Sequence, residues 1–159
     1  MCIRDSMKGR TYRYFSGRPL YEFGYGLSYT SFRYDNLKLP VRIATNEAVE
    51  VSVDVTNAGR MDGDEVVQMY ISHEGLSFDT PIRSLKGFRR VSLKKGETKT
   101  VRFLLESDDL AVTTEEGHVV VMPCTVKIAV GGKQPDAVSL KRNAVVEKNI
   151  ELVGNPVNL

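Results

Sequence analysis

An all-β fold, two antiparallel sheets packed face to face as a sandwich, is what this sequence predicts, and three observations carry it. Short β-type runs recur from residue 32 onward, turn residues punctuate them at regular intervals, and no long amphipathic helical period interrupts them. The 159 residues are enough for one domain with its own hydrophobic core. A hydrophobic share of 42% and a charged share of 26% match an ordinary globular protein and argue against disorder.

Taken in order, residues 1–6, MCIRDS, lack the basic and apolar regions of a secretory signal. They have the look of a translated sequencing-adapter leader, so they are expected to be non-native and the chain to be the tail of a longer protein. Residues 7–31 follow as a segment of different composition. Of seven Tyr and six Phe, nine (Tyr12, Tyr14, Phe15, Tyr21, Phe23, Tyr25, Tyr29, Phe32, Tyr34) fall before residue 35. Without a sustained period, and broken by Gly9, Gly17, Pro19, Gly24 and Gly26, this reads as an irregular, aromatic-anchored linker that needs a surface to lie on.

The sandwich is assigned to residues 32–159, with strands near Phe32–Leu39, Val49–Thr56, Glu65–Ser72, Leu85–Leu93, Thr98–Leu105, His118–Met122, Thr125–Val130 and Ala144–Leu152. Val49, Val51, Val53 and Val55 alternate with Glu50, Ser52, Asp54 and Thr56, a strand with one face on a core and one in water. Asn57-Ala58-Gly59, Asp62-Gly63-Asp64, Lys95-Gly96-Glu97 and Gly131-Gly132 supply turns that tolerate positive φ. Ser107-Asp108-Asp109-Leu110 predicts one helical turn, capped by Ser or Asp. These elements favour an immunoglobulin-like or fibronectin type III-like topology, with an open barrel as the alternative closure.

The run RTYRYFSGRPLYEFGYGLSYTSFRYDNLKL, Arg10 to Leu39, resembles the segment that leads into the C-terminal domain of family-three glycoside hydrolases, where FGYGLSYT or a near variant recurs. VDVTNAGRMDGDEVVQMYIS (Val53–Ser72), RSLKGFRRVSLKKGETKTVRFLL (Arg83–Leu105) and VKIAVGGKQPD (Val126–Asp136) follow in the family's order. The resemblance implies a fibronectin type III-like accessory domain of a β-glucosidase or β-xylosidase, and GGKQPD looks closer to the β-xylosidase branch. In that family the nucleophile and the acid/base belong to preceding domains, so no catalytic residue is expected here. The implied partners are those N-terminal catalytic domains, absent from this chain, and an oligosaccharide substrate at their rim. For a full-length bacterial enzyme a periplasmic or extracellular location is in keeping with the resemblance. One departure is at Pro123-Cys124 and the strand His118-Val119-Val120 before it, where many relatives have Pro-Gly and an aromatic residue, which leaves the turn type there open but not the sandwich.

Candidate chemistry inside the chain is sparse. Glycoside hydrolysis needs two carboxyls roughly 5 to 9.5 Å apart, one with a raised pKa. Asp62, Asp64 and Glu65, or Asp108 and Asp109, or Glu115 and Glu116 are the nearby sets, all expected in solvated turns. Asp62-Gly63-Asp64-Glu65 lacks the ligand spacing of a calcium loop. His73, His118 and Cys124 stand without zinc-ligand or nucleophile spacing, and Cys2 offers no clear disulfide partner. Neither cofactor nor metal is expected. With 22 basic against 20 acidic residues, scattered, nucleic acid is an unsuited partner, and no apolar run reaches the roughly 18 residues of a membrane span.

Two functional assignments remain. Tyr21, Phe23, Gly24, Tyr25, Gly26, Leu27 and Tyr29 are expected to clamp the sandwich to the catalytic domains, burying large side chains between surfaces while the glycines turn the backbone. That arrangement predicts an exposed apolar patch when the domain stands alone. Phe78, in the loop His73–Pro81, is the residue expected at a substrate rim. The alternatives are an independent carbohydrate-binding module, for which exposed Tyr would serve but no Trp is present, and a cell-surface adhesion module, for which no internal repeat is present.

Overall fold

The computed structural model describes residues 11–17 and 19–159. The expected leader 1–6, with Cys2, therefore lies outside the described residues, as do residues 7–10 and Arg18 of the linker. In order, the elements are α1 (Thr11–Tyr14), β1 (Phe32–Lys38), β2 (Arg42–Ala44), β3 (Val49–Asn57), β4 (Gly63–Glu74), β5 (Ser84–Leu93), β6 (Thr98–Leu105), a 3-10 turn (Ser107–Leu110), β7 (Val112–Thr113), β8 (Val119–Val121), β9 (Thr125–Gly131), α2 (Ala137–Lys141), β10 (Val145–Val153) and β11 (Val157–Asn158).

They form the expected sandwich. One sheet has the order β1-β3-β6 and the other β2-β10-β9-β4-β5, with β11-β8-β7 as a small third sheet at one end. All pairings are antiparallel except β2, which lies parallel to β10 through Arg42, Ile43 and Ala44. The valine alternation of β3 sets the register, Val49 facing Leu105, Val51 facing Phe103 and Val53 facing Val101 across β6. Those side chains meet Val67, Met69, Ile71, Val126, Ile128, Val130, Ile150 and Leu152 of the opposite sheet in one core. Burying each contributes about 1.5 to 3 kcal/mol.

The turns are held by side chains as well as by glycine. Asn57 is fully buried, donates its amide to the carbonyls of Met61 and Leu93 at 2.8 and 3.1 Å, and accepts from the Gly59 amide at 3.1 Å. Gly59 is required there, because a Cβ would lie 2.0 Å from Thr30 Oγ1 and 2.7 Å from Ser31 N. The 3-10 turn forms where expected, but Ser107 donates its hydroxyl to Thr45 O instead, and Asp109 accepts from the Glu106 amide.

Three differences from expectation have local causes. The strand expected at His118–Met122 contracts to Val119–Val121, since His118 belongs to the exposed turn after Gly117. The two short helices α1 and α2 and the short strands β2, β7 and β11 are additional elements. β4 is buried continuously from Val67 to Ile71 instead of alternately, because its outer face is also covered. There Tyr70, Ala129 and Val145 form a second small cluster under Tyr12, Leu85 and Leu140. Among the described residues no helix is long and apolar enough to cross a membrane.

Candidate interdomain interface

That outer face is where the aromatic segment lies, so the Tyr cluster is on the sandwich surface and not apart from it. Tyr12 stacks on Phe23 with centroids 4.8 Å apart and meets Tyr70 edge-on at 6.2 Å. Its hydroxyl accepts from the Leu85 amide at 3.2 Å, and the Arg13 carbonyl accepts from the Ile82 amide at 2.7 Å. Further along, the Phe23 carbonyl accepts from the Gln134 amide at 2.9 Å, and Lys133 Nζ pairs with Glu22 at 2.8 Å. The loop Gly131–Asp136 thus clasps the segment by backbone and charge.

Gly24 is fixed by close approach. Its φ is +84°, and a Cβ would stand 2.5 Å from Gln68 Nε2. Gln68 is itself held, donating to Gly132 O at 3.1 Å and accepting from the Tyr70 hydroxyl. Asp136 completes the clasp as N-cap of α2, accepting from the Ser139 amide. Burial pushes its carboxyl up, but the hydrogen bonds from Ser139 and the nearby Lys133 charge outweigh this and hold it at about 2.

With its backbone fastened, the segment leaves its side chains uncovered. Leu27 and Tyr29 are 93% and 94% exposed, Tyr21, Phe23 and Tyr25 are also exposed, and Tyr21 and Tyr25 pack at 4.9 Å. The structure brings these five together along one segment. Gly26 differs from Gly24, having no atom within 4 Å of a built Cβ and no positive φ. Phe88 and Val66, exposed on the outer face of β5 and β4 beside Gln68, extend the apolar area and were not among the sequence candidates. No local signal marked them, since Phe88 comes to this face by standing opposite Gln68 in the β4–β5 register, beside core-facing Gly87. Phe78 is half-buried in the connection after β4, which runs on through His73 to Glu74.

Glu65 corrects one expectation. Asp64 and Glu65 lie in β4 and not in a turn, and Glu65 is half-buried, accepting from the Tyr34 hydroxyl at 2.7 Å. Burial raises its pKa, against the lowering effect of that hydrogen bond. Its partner is a phenol and not a second carboxyl, so the pair ties β1 to β4 across the sandwich. Asp64 instead pairs with Arg90, Asp62 accepts from the Lys95 amide at 2.8 Å, and Asp109 lies 3.8 Å from Lys86. Glu115 and Glu116 are exposed in the turn before β8. His73 Nε2 is 3.0 Å from Leu110 O, with its pKa lowered by burial, while Cys124 packs against the core and burial pushes its thiol up to about 11. Among the described residues no group of three or more His, Cys, Asp or Glu is placed to hold a metal ion.

Residues 65–134 match the fibronectin type III-like domain family. The chain is 48% identical over 127 residues to the β-xylosidase of Formosa agariphila, covering 79% of this chain and 17% of that protein. It carries the fibronectin type III-like domain of family-three glycoside hydrolases. The periplasmic β-glucosidase of Salmonella typhimurium is 37% identical over 124 residues, covering 76% of this chain and 16% of that protein. Among solved structures, the β-glucosidase of Listeria innocua in complex with glucose superposes with a TM-score of 0.76 at 30% identity, over 94% of this chain and 20% of that one. The fibronectin type III-like domain thus spans about a sixth of the length of the curated relatives it matches, and it is of the accessory kind.

Proposed function

We propose that this fibronectin type III-like domain is the non-catalytic accessory domain of an enzyme that hydrolyses β-glucosides or β-xylosides, and that Tyr21, Phe23, Gly24, Tyr25, Gly26, Leu27 and Tyr29 dock it to the catalytic domains of the same polypeptide. The observation that carries this reading is the combination of a fastened backbone with uncovered side chains. Phe23 O, Glu22 and Gly24 are held to the loop Gly131–Asp136 and Gln68, whereas Leu27 and Tyr29 are almost fully exposed. Large apolar side chains left in water next to a stretch that is fastened to the sheet are the mark of a surface meant to be covered.

The test is thermal unfolding of the full-length polypeptide carrying Leu27→Ser together with Tyr29→Ser. The variant is expected to lower Tm by several degrees and to separate unfolding of the sandwich from that of the rest. An unchanged, single transition would remove the docking role. Phe78 is proposed as a substrate-rim residue on the connection after β4. Phe78→Ala is expected to slow turnover of long oligosaccharides relative to short ones in the full enzyme, and an unchanged ratio would end that assignment.

A further inference from the structure

The loop Gly131–Asp136, which clasps the aromatic segment, has a carboxyl beneath it. Glu65 lies on the same side of β4 as the core residues Val67 and Met69, half-buried, and accepts from the Tyr34 hydroxyl at 2.7 Å. Gly132 closes over this pair, since a Cβ built there would collide with Glu65 Oε1 and stand 3.3 Å from the Tyr34 hydroxyl. Gly132 also reaches the outer face, where its carbonyl accepts from Gln68 Nε2 at 3.1 Å and Gln68 lies under Gly24. The next two residues grip the segment, Lys133 through Glu22 at 2.8 Å and the Gln134 amide through Phe23 O at 2.9 Å. Gly132 thus touches the carboxyl on one side and the fastening of the aromatic segment on the other.

We propose that Glu65 is a proton-operated latch on the clasp loop. With its carboxyl neutral, the loop closes over the Glu65–Tyr34 pair and grips the aromatic segment; with the proton released to solvent, the carboxylate draws water, Gly132 lifts and the grip loosens. A carboxylate needs more solvation than one phenol hydrogen bond supplies, and burial raises the pKa of Glu65 against the lowering effect of that bond. Tyr34 is kept a neutral phenol by its own burial first and by the Glu65 charge second, so the charge change of the pair is that of Glu65. The cations nearby in sequence or register are engaged elsewhere. On β1 Arg33 pairs with Asp35 at 2.8 Å, on β5 Val91 stands opposite Glu65 while Arg90 pairs with Asp64, and on the loop Lys133 pairs with Glu22 and, at 4.0 Å, with Asp136. The folded pKa lies above the ordinary 4.5, so the grip is complete below that value and weakens by about tenfold per pH unit from there up to the raised value. These contacts all lie within this chain, so failure of the latch would leave the docking reading standing.

Amide hydrogen exchange of this chain, read as protection relative to the intrinsic rate at each pH, tests the latch. From about pH 4 to about pH 8 the Gly132 and Gln134 amides are expected to lose about tenfold or more in protection, while the amides of β3 keep theirs. Glu65→Gln still accepts from Tyr34 but does not titrate, and its protection is expected to stay level across the same range. Should that variant fail to fold, Tyr34→Phe serves instead: it removes the hydrogen bond that favours the carboxylate, and is expected to move the loosening to higher pH. Level protection in the unsubstituted chain, the same pH dependence in Glu65→Gln, or an unmoved midpoint in Tyr34→Phe would overturn the latch. An equal loss throughout β3 would overturn it too, because the whole sandwich and not the loop would then be opening.

Discussion

Gly24 and Asp136 show how single residues fasten the aromatic segment. At φ +84° with Gln68 2.5 Å from a built Cβ, Gly24→Ala combines a disfavoured backbone with a contact that the flexible Gln68 side chain can partly relieve. We expect a loss of about 1 kcal/mol from the backbone alone, read as a lower urea midpoint, together with faster exchange of the Gln134 amide that Phe23 O holds. Asp136 gives a pH dependence of definite sign. Its folded pKa, about 2, lies below the ordinary 3.8, so its contribution is fully present above pH 4 and disappears as pH falls towards 2. After allowance for solvent screening, Asp136→Asn should cost about 1 kcal/mol at neutral pH and almost nothing near pH 2. Glu65 behaves oppositely. Its folded pKa is raised, so the carboxylate form weakens the fold once pH passes the unfolded value, and Glu65→Gln, which still accepts from Tyr34, should narrow that loss on the alkaline side.

Among the elements, β4 joins the core to the interface. Val67, Met69 and Ile71 face β3 and β6, while Gln68 and Tyr70 face the segment, so β4 is covered on both sides. Its neighbour β9 offers a clean test of the inner side, as Ile128→Ala should cost about 2 to 5 kcal/mol in chemical denaturation without altering the outer face. β3 was legible in the sequence because its valine alternation is a local pattern. The double burial of β4 was not, because its roof, Tyr12 and Phe23, comes from about fifty residues upstream and leaves no local period. α2 had a readable signal, since Asp136 and Ser139 stand at capping-box spacing, but at five residues it shows no amphipathic repeat. β2 holds three residues and is stabilised only by its parallel register on β10, which no local sequence rule specifies. At the interface, residue types and spacing marked Tyr21 to Tyr29, whereas Phe88, Val66 and Gln134 join that area only through strand register and the clasp loop.

On the scale of the whole molecule, the sandwich turns one outer face into a support. It fixes the path of the aromatic segment and leaves Tyr21, Tyr25, Leu27 and Tyr29 facing outward, and this domain type occurs in relatives of which the matched stretch is about a sixth. The central claim is that these side chains are covered by the catalytic portion of the same polypeptide. Side-chain footprinting measures that covering directly. The account predicts that Tyr25, Leu27 and Tyr29 label readily in this chain and are strongly protected in the full-length polypeptide. Equal labelling in the two would contradict it.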